Sequence, residues 1–127
     1  MSNRAVISTP DAPQAIGPYS QAIKVGNTVW LSGQIPLDPE TMEVVEGDIS
    51  AQAAQVFKNL AAVAEAAGGT LNKAVKINIS LTDLADFAAV NEVMASFLQE
   101  PYPARACVQV TALPRNVGIE VEAILAV

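Results

Sequence analysis

In the stretch Pro103-Ala-Arg-Ala-Cys-Val-Gln-Val110, a guanidinium and the chain's single thiol stand two residues apart. Strand alternation puts Arg105, Cys107 and Gln109 on one side, and Ala104, Ala106, Val108 and Val110 on the other. The guanidinium is a fixed fork of donors that suits a carboxylate bidentately. Two readings stand for Arg105: a clamp for a ligand carboxylate, or an arginine paired with an acid at a subunit contact. Two also stand for Cys107. A nearby cation lowers a thiol pKa and favours a thiolate nucleophile; otherwise the residue is a small lining group. The last strand brings carboxylates, with Glu120 and Glu122 alternating against Ile119, Val121, Ala123 and Leu125. If the two strands pair with residue 110 opposite 115, Glu120 lies opposite Arg105 and Gly118 opposite Cys107. Opposed residues share a face, so that register would gather carboxylate, guanidinium and thiol on one polar face.

Composition narrows the chemistry. The chain has no histidine, which removes His-based triads, the usual zinc sites and the commonest general base together. Catalysis has to run on Glu, Asp, Tyr, Arg, Cys, backbone groups and water, with no metal or cofactor expected. One cysteine makes no intrachain disulfide, which points to a reducing compartment. No signal-peptide pattern and no apolar run of transmembrane length is present, so a cytoplasmic protein with no membrane partner is expected. The net charge of −6 and pI near 4.4 argue against a nucleic-acid partner, which needs a basic patch. The 127 residues suit one domain over 1–127. With 51% apolar and only 16% charged residues, part of the surface is expected to be covered by further copies of the chain.

The elements that must position these groups follow in order. Residues 4–8 read as an edge strand. A Pro-rich loop then delivers Tyr19 and Ser20 through the Gly17-Pro18 turn signal. Residues 23–25 and 28–31 form a hairpin on Gly26-Asn27, a Gly-first turn of type II′. Gly33, in Ser32-Gly33-Gln34-Ile35-Pro36, signals a bulge or a close backbone approach. Residues 36–47 are a surface loop. Helical spacing over 50–67 (Ala53, Val56, Phe57, Leu60, Val63, Ala64) starts at an Asp48 or Ser50 cap and ends at Gly68-Gly69. Residues 74–81 alternate, with Val75, Ile77, Ile79 and Leu81 expected on the core side. A second helix starts at an Asp83 cap and ends before Pro101, its stripe being Leu84, Phe87, Val90, Met94, Phe97 and Leu98. Asn91 lies beside that stripe and needs partners, either a neighbouring backbone group or a ligand. The order β-β-β-α-β-α-β-β predicts an α+β fold: a mixed six-stranded sheet with both helices on its apolar face. Arg105, Cys107, Gln109, Glu120 and Glu122 are expected on the other face.

Taken together, Gly17-Pro-Tyr-Ser-Gln-Ala22, Ser32-Gly-Gln-Ile-Pro36, Asp83-Leu84 with Phe87 and Asn91, Pro103-Ala-Arg-Ala-Cys-Val108 and Glu120-Val-Glu-Ala123 resemble the Rid family of reactive intermediate deaminases, RidA subgroup. The resemblance runs nearly end to end. It implies a chorismate-mutase-like fold and a homotrimer with sites between subunits. It also implies hydrolysis of small 2-enamine and 2-imine acids, such as 2-aminoacrylate and 2-iminobutanoate, to 2-keto acids and ammonia, without cofactor. Arg105 matches the arginine that holds the substrate carboxylate, and Glu120 the glutamate that positions or activates water. Tyr19, Ser32, Gly33, Asn91 and Cys107 match pocket-lining positions. The chain departs from the family at Ala106 (often serine), Met42 (often glycine) and Ala85 (often asparagine), none of them at the expected chemistry. Two rival functions are a ribonuclease or translation inhibitor, and a non-enzymatic module that binds small carboxylates or acts as a holdase.

Overall fold

The computed structural model describes residues 3–127; Met1 and Ser2, part of the unit expected over 1–127, lie outside them. Its elements are β1 (Ala5–Ile7), β2 (Ala22–Val25), β3 (Thr28–Gln34), α1 (Ile49–Ala66), β4 (Ala74–Leu81), α2 (Phe87–Phe97), β5 (Ala104–Gln109) and β6 (Ile119–Ala126). The six strands form one mixed sheet in the order β1-β2-β3-β6-β4-β5, with only β4 and β5 parallel. The expected α+β architecture and element order hold.

One core lies between the helices and one face of the sheet. Val56, Phe57, Leu60 and Val63 of α1 pack with Val90 and Met94 of α2 against Val29, Ile77, Ile79, Leu81, Val121 and Leu125. The Phe57 and Phe97 rings stack at 5.7 Å between centroids and join the two helices. Asp48 caps α1, its carboxylate accepting from Ala51 N at 3.0 Å. At the hairpin, Gly26 takes φ +57 and Asn27 does not, the single positive φ that a Gly-first turn needs.

Three expectations require correction. Val75 is 49% exposed rather than core-facing. The ladder steps from Ala74↔Leu125 to Lys76↔Ile124, so a bulge at Val75 shifts the alternation by one residue. Asp83 caps a short 3₁₀ turn over Leu84–Asp86, with α2 beginning at Phe87, and this leaves Leu84 exposed.

The largest correction concerns the last two strands, which do not pair. β4 lies between them, parallel to β5 (Ile77↔Arg105, Ile79↔Cys107) and antiparallel to β6 (Ser80↔Glu120, Asn78↔Glu122). The 111–117 segment arches over the end of β4. Val110 N donates to Leu81 O at 2.8 Å on one side of that end, and Thr82 N to Gly118 O at 3.2 Å on the other. The cause is burial: Ile77, Ile79 and Leu81 are nearly inaccessible, and an edge position would expose them. The helical connection from β4 to β5 gives the parallel pair beside it.

Paired residues share a face. Arg105, Cys107 and Gln109 therefore lie with Ile77 and Ile79 on the helix side, while Glu120 and Glu122 lie on the opposite side. That opposite side carries a row of largely apolar residues, Ile23, Trp30, Ile124, Lys76 and Ala104 in register across five strands. Trp30 and Val108 on it are 46% and 52% exposed.

Candidate active site

The predicted site residues fall into two groups, one on each face of the sheet. On the helix side, Arg105 extends from β5 beneath α2. Its Nη1 donates to Asn91 Oδ1 and lies 3.9 Å from Met94 Sδ. The guanidinium carbon sits 5.0 Å from the centroid of the Phe87 ring, a cation–π arrangement. The residues at i, i+4 and i+7 on α2 thus hold one guanidinium, because helical neighbours at that spacing share a face. No carboxylate of the described residues pairs with Arg105. It borders a groove of about 450 Å³ with Asn91, Met94, Ala95, Tyr102 and Pro103. Asn91 reaches Arg105 within one chain, so no second subunit is needed to bring these two together.

Cys107 is half-buried beside the core. Burial pushes its thiol pKa up, and the opposing pull of Arg105 is the smaller effect. That direction argues against the thiolate reading, because the nucleophile is the ionised form.

On the other face a cleft of about 670 Å³ gathers Tyr19, Ser32, Gly33 and Glu120, together with Glu122, Met42 and Arg115. Gln21 builds one wall. Its buried amide donates to Pro13 O at 2.8 Å and accepts from Thr9 N at 2.7 Å, fixing the loop before Tyr19. Ser32 Oγ donates to Ser20 O at 2.6 Å, and Ser32 N donates to Gln21 O at 2.9 Å. The ladder slips between Leu31 and Gln34, so Gly33 does mark a bulge. It marks a close approach as well: a Cβ there would lie 3.0 Å from Glu120 Cδ. Burial is the larger cause that raises the Glu120 pKa above its ordinary 4.5, and neighbouring Glu122 adds to it.

Met42, one of the departures from the Rid pattern, has φ +60. That explains why glycine suits the position, and Met42 does line the cleft. Arg115 and Gln21 escaped the sequence reading. Arg115 sits in what reads as an ordinary turn, and Gln21 looks like one more polar loop residue. Among the described residues no group of three or more Cys, Asp and Glu side chains converges as a metal site requires. No helix among them is long and apolar enough to cross a membrane.

A family model described as Endoribonuclease L-PSP matches residues 9–127. A crystal structure of RidA from the Antarctic bacterium Psychrobacter sp. PAMC 21119 is 60% identical, covers 97% of this chain and 99% of its own, and superimposes with a TM-score of 0.94. The chain belongs to the Rid family. A Rid relative from Dermatophagoides farinae named 2-iminobutanoate/2-iminopropanoate deaminase is 50% identical, over 100% of this chain and 99% of its own length. Escherichia coli TdcF, solved with bound serine, is 43% identical, covers 97% of this chain and 98% of its own, and has a TM-score of 0.92. The two solved structures share the fold with this chain over nearly its whole length, so both groups of candidate site residues lie inside the shared region.

Proposed function

We propose that this protein hydrolyses small 2-enamine and 2-imine acids, such as 2-aminoacrylate and 2-iminobutanoate, to 2-keto acids and ammonia. The site forms where Arg105 of one chain meets the Glu120 cleft of another. The observation that carries this reading is the separation itself: a guanidinium without an acid partner on one face, and a carboxylate cleft on the other. Neither half is a site alone. The chorismate-mutase-like homotrimer supplies the second half from a neighbour, and the partly exposed row around Trp30 and Ile124 is the surface such an assembly would cover. Serine, the ligand named for TdcF, carries the α-carboxylate and α-nitrogen of such an imino acid. The cytoplasm is the expected compartment.

The chemistry suits these groups. Arg105 holds the substrate carboxylate with paired hydrogen bonds. An enamine first takes a proton from solvent on C3 and becomes the iminium, which is electrophilic at C2. Glu120, as carboxylate, accepts a proton from water while the water oxygen bonds to C2. The C=N π pair returns to nitrogen and gives a neutral amine. Glu120 then returns its proton to that nitrogen. The C–N bond breaks with its electron pair leaving on ammonia, and the hydroxyl gives its proton to the freed Glu120 carboxylate, which returns it to solvent, as the keto group forms. The electrophile is already in the substrate, so the step calls for neither metal nor pyridoxal phosphate.

A subunit mixture tests the split site. Arg105→Ala and Glu120→Gln chains, each strongly impaired alone, are refolded together at equal amounts. Random assembly should give about a quarter of wild-type activity, because each site draws its two halves from two chains. No recovery in a mixed oligomer of confirmed composition would show that the site does not form between chains.

Two further substitutions separate lining from chemistry. Cys107→Ala is expected to keep most of the activity, within about threefold, since no thiolate is used; a loss matching Arg105→Ala would restore the nucleophile. Gly33→Ala is expected to fold normally, because the group its Cβ crowds is the end of a flexible side chain. It should lower kcat by about 10- to 100-fold through displacement of the Glu120 carboxyl. An unchanged kcat would mean that the carboxyl position is not critical.

The ribonuclease alternative draws on the description of the family model. Cleavage of RNA by wild type that survives both Arg105→Ala and Glu120→Gln would favour it over hydrolysis at this site.

A further inference from the structure

We propose that Arg115 is a second anion-binding group of the Glu120 cleft, so that the site accepts imino acids whose side chain ends in a carboxylate. This deepens the deaminase reading and rests on it for the substrate class.

The first observation is backbone conformation. Arg115 (φ 58, ψ 19) is followed by Asn116 at φ 58, and Met42 across the cleft has φ 60. A left-handed residue other than glycine is sterically costly, and such residues persist where surrounding structure holds them. The contact joining the two segments is the Arg115 guanidinium, whose Nη1 donates to Met42 O at 3.2 Å. The second observation is how little folding gains in return. The one ion pair of Arg115, with Glu43 at 4.0 Å, joins side chains 48% and 77% exposed, a surface pair of small worth. A guanidinium has five donors, and one is engaged by Met42.

The third observation is charge and room. Arg115 is the only Lys or Arg among the described residues that line this cleft, alongside the carboxylates Glu120 and Glu122. At about 670 Å³ the cleft lies in the range that holds drug-sized ligands, far more than a four-carbon imino acid fills. A substrate with two carboxylates would be repelled by Glu120 and Glu122 unless two cations met it. Arg105 of the neighbouring chain takes the α-carboxylate, and Arg115 takes the distal one.

The test is calorimetric binding of two stable keto acids, 2-oxoglutarate and 2-oxobutanoate, to the assembled wild type, Arg115→Asn and Arg115→Lys. Asparagine is chosen because it tolerates the left-handed backbone. Arg115→Asn should weaken 2-oxoglutarate by about tenfold or more and leave 2-oxobutanoate within about twofold, with Arg115→Lys between. Equal effects on both acids, no effect on either, no binding of 2-oxoglutarate by wild type, or loss of the assembly in Arg115→Asn would each overturn the proposal. Hydrolysis of 2-iminobutanoate by the same preparations is followed in parallel. Its absence in wild type would defeat the deaminase reading, whereas the ratio of the two binding constants decides the role of Arg115.

Discussion

Arg105→Ala is expected to lower kcat/KM for 2-iminobutanoate by about 30- to 5,000-fold, the equivalent of losing roughly 2–5 kcal/mol from a charge-assisted carboxylate contact. Arg105 is held by Asn91, Met94 and Phe87 on one face of α2, yet no acid among the described residues neutralises it. A cation stacked on an aromatic ring and left without a counter-ion is prepared for an anion that arrives from outside. Arg105→Lys should recover little, because an ammonium is a point charge and lacks the planar fork. The fold should survive both changes, since Arg105 is exposed and its neighbours Ile77 and Ile79 carry the packing. The measurement is a coupled assay in which a threonine dehydratase generates the imine and keto acid is followed above the uncatalysed rate. Wild-type activity retained by Arg105→Ala would withdraw the clamp and leave the residue as a structural link between β5 and α2.

Glu120→Gln comes second, with an expected fall in kcat of about 10²–10⁴-fold, the range for removal of a positioned base. Glutamine keeps the size and the hydrogen bonding but cannot take the proton from water, so KM should change little. The pH profile adds an independent check. Partial burial and the charge of Glu122 raise the Glu120 pKa above its ordinary 4.5. The active form is the carboxylate, so activity is present above the raised pKa and is lost as pH falls through it. The acid limb of the wild-type profile should therefore lie above the usual glutamate range. Glu122→Gln removes the smaller of the two causes and should move that limb to lower pH without erasing the shift, because burial remains. Glu120→Gln should lack the limb altogether. A wild-type limb that survives Glu120→Gln unchanged would assign the titration to substrate or to another group.

The elements themselves were readable from local patterns. The i, i+3, i+4 spacing of Ala53, Val56, Phe57 and Leu60 declares a helix, and the period of two in 119–125 declares a strand with Glu120 and Glu122 turned from the core. Both signals come from a few neighbouring residues and need no knowledge of the rest of the chain. The absence of histidine narrowed the chemistry in the same direct way. Membership of the Rid family was legible as well, since the Rid-like motifs are short contiguous strings.

What the local patterns could not decide was who lies beside whom. β5 and β6 are consecutive strands, and a hairpin was the simplest expectation. β4, with Ile77, Ile79 and Leu81, has more to lose by standing at the edge, so it takes the place between them. That exchange puts Arg105 and Glu120 on opposite faces of the sheet. One bulge at Val75 and another between Leu31 and Gln34 shift alternation that looked regular. The left-handed conformation of Arg115 carries no residue signature, and that of Met42 shows only as a departure from a family glycine. Side-chain periodicity is set by the geometry of a single strand or helix, which the sequence by itself determines. Strand neighbours, faces and strained turns are set by competition for burial across the whole chain, which only the tertiary structure decides.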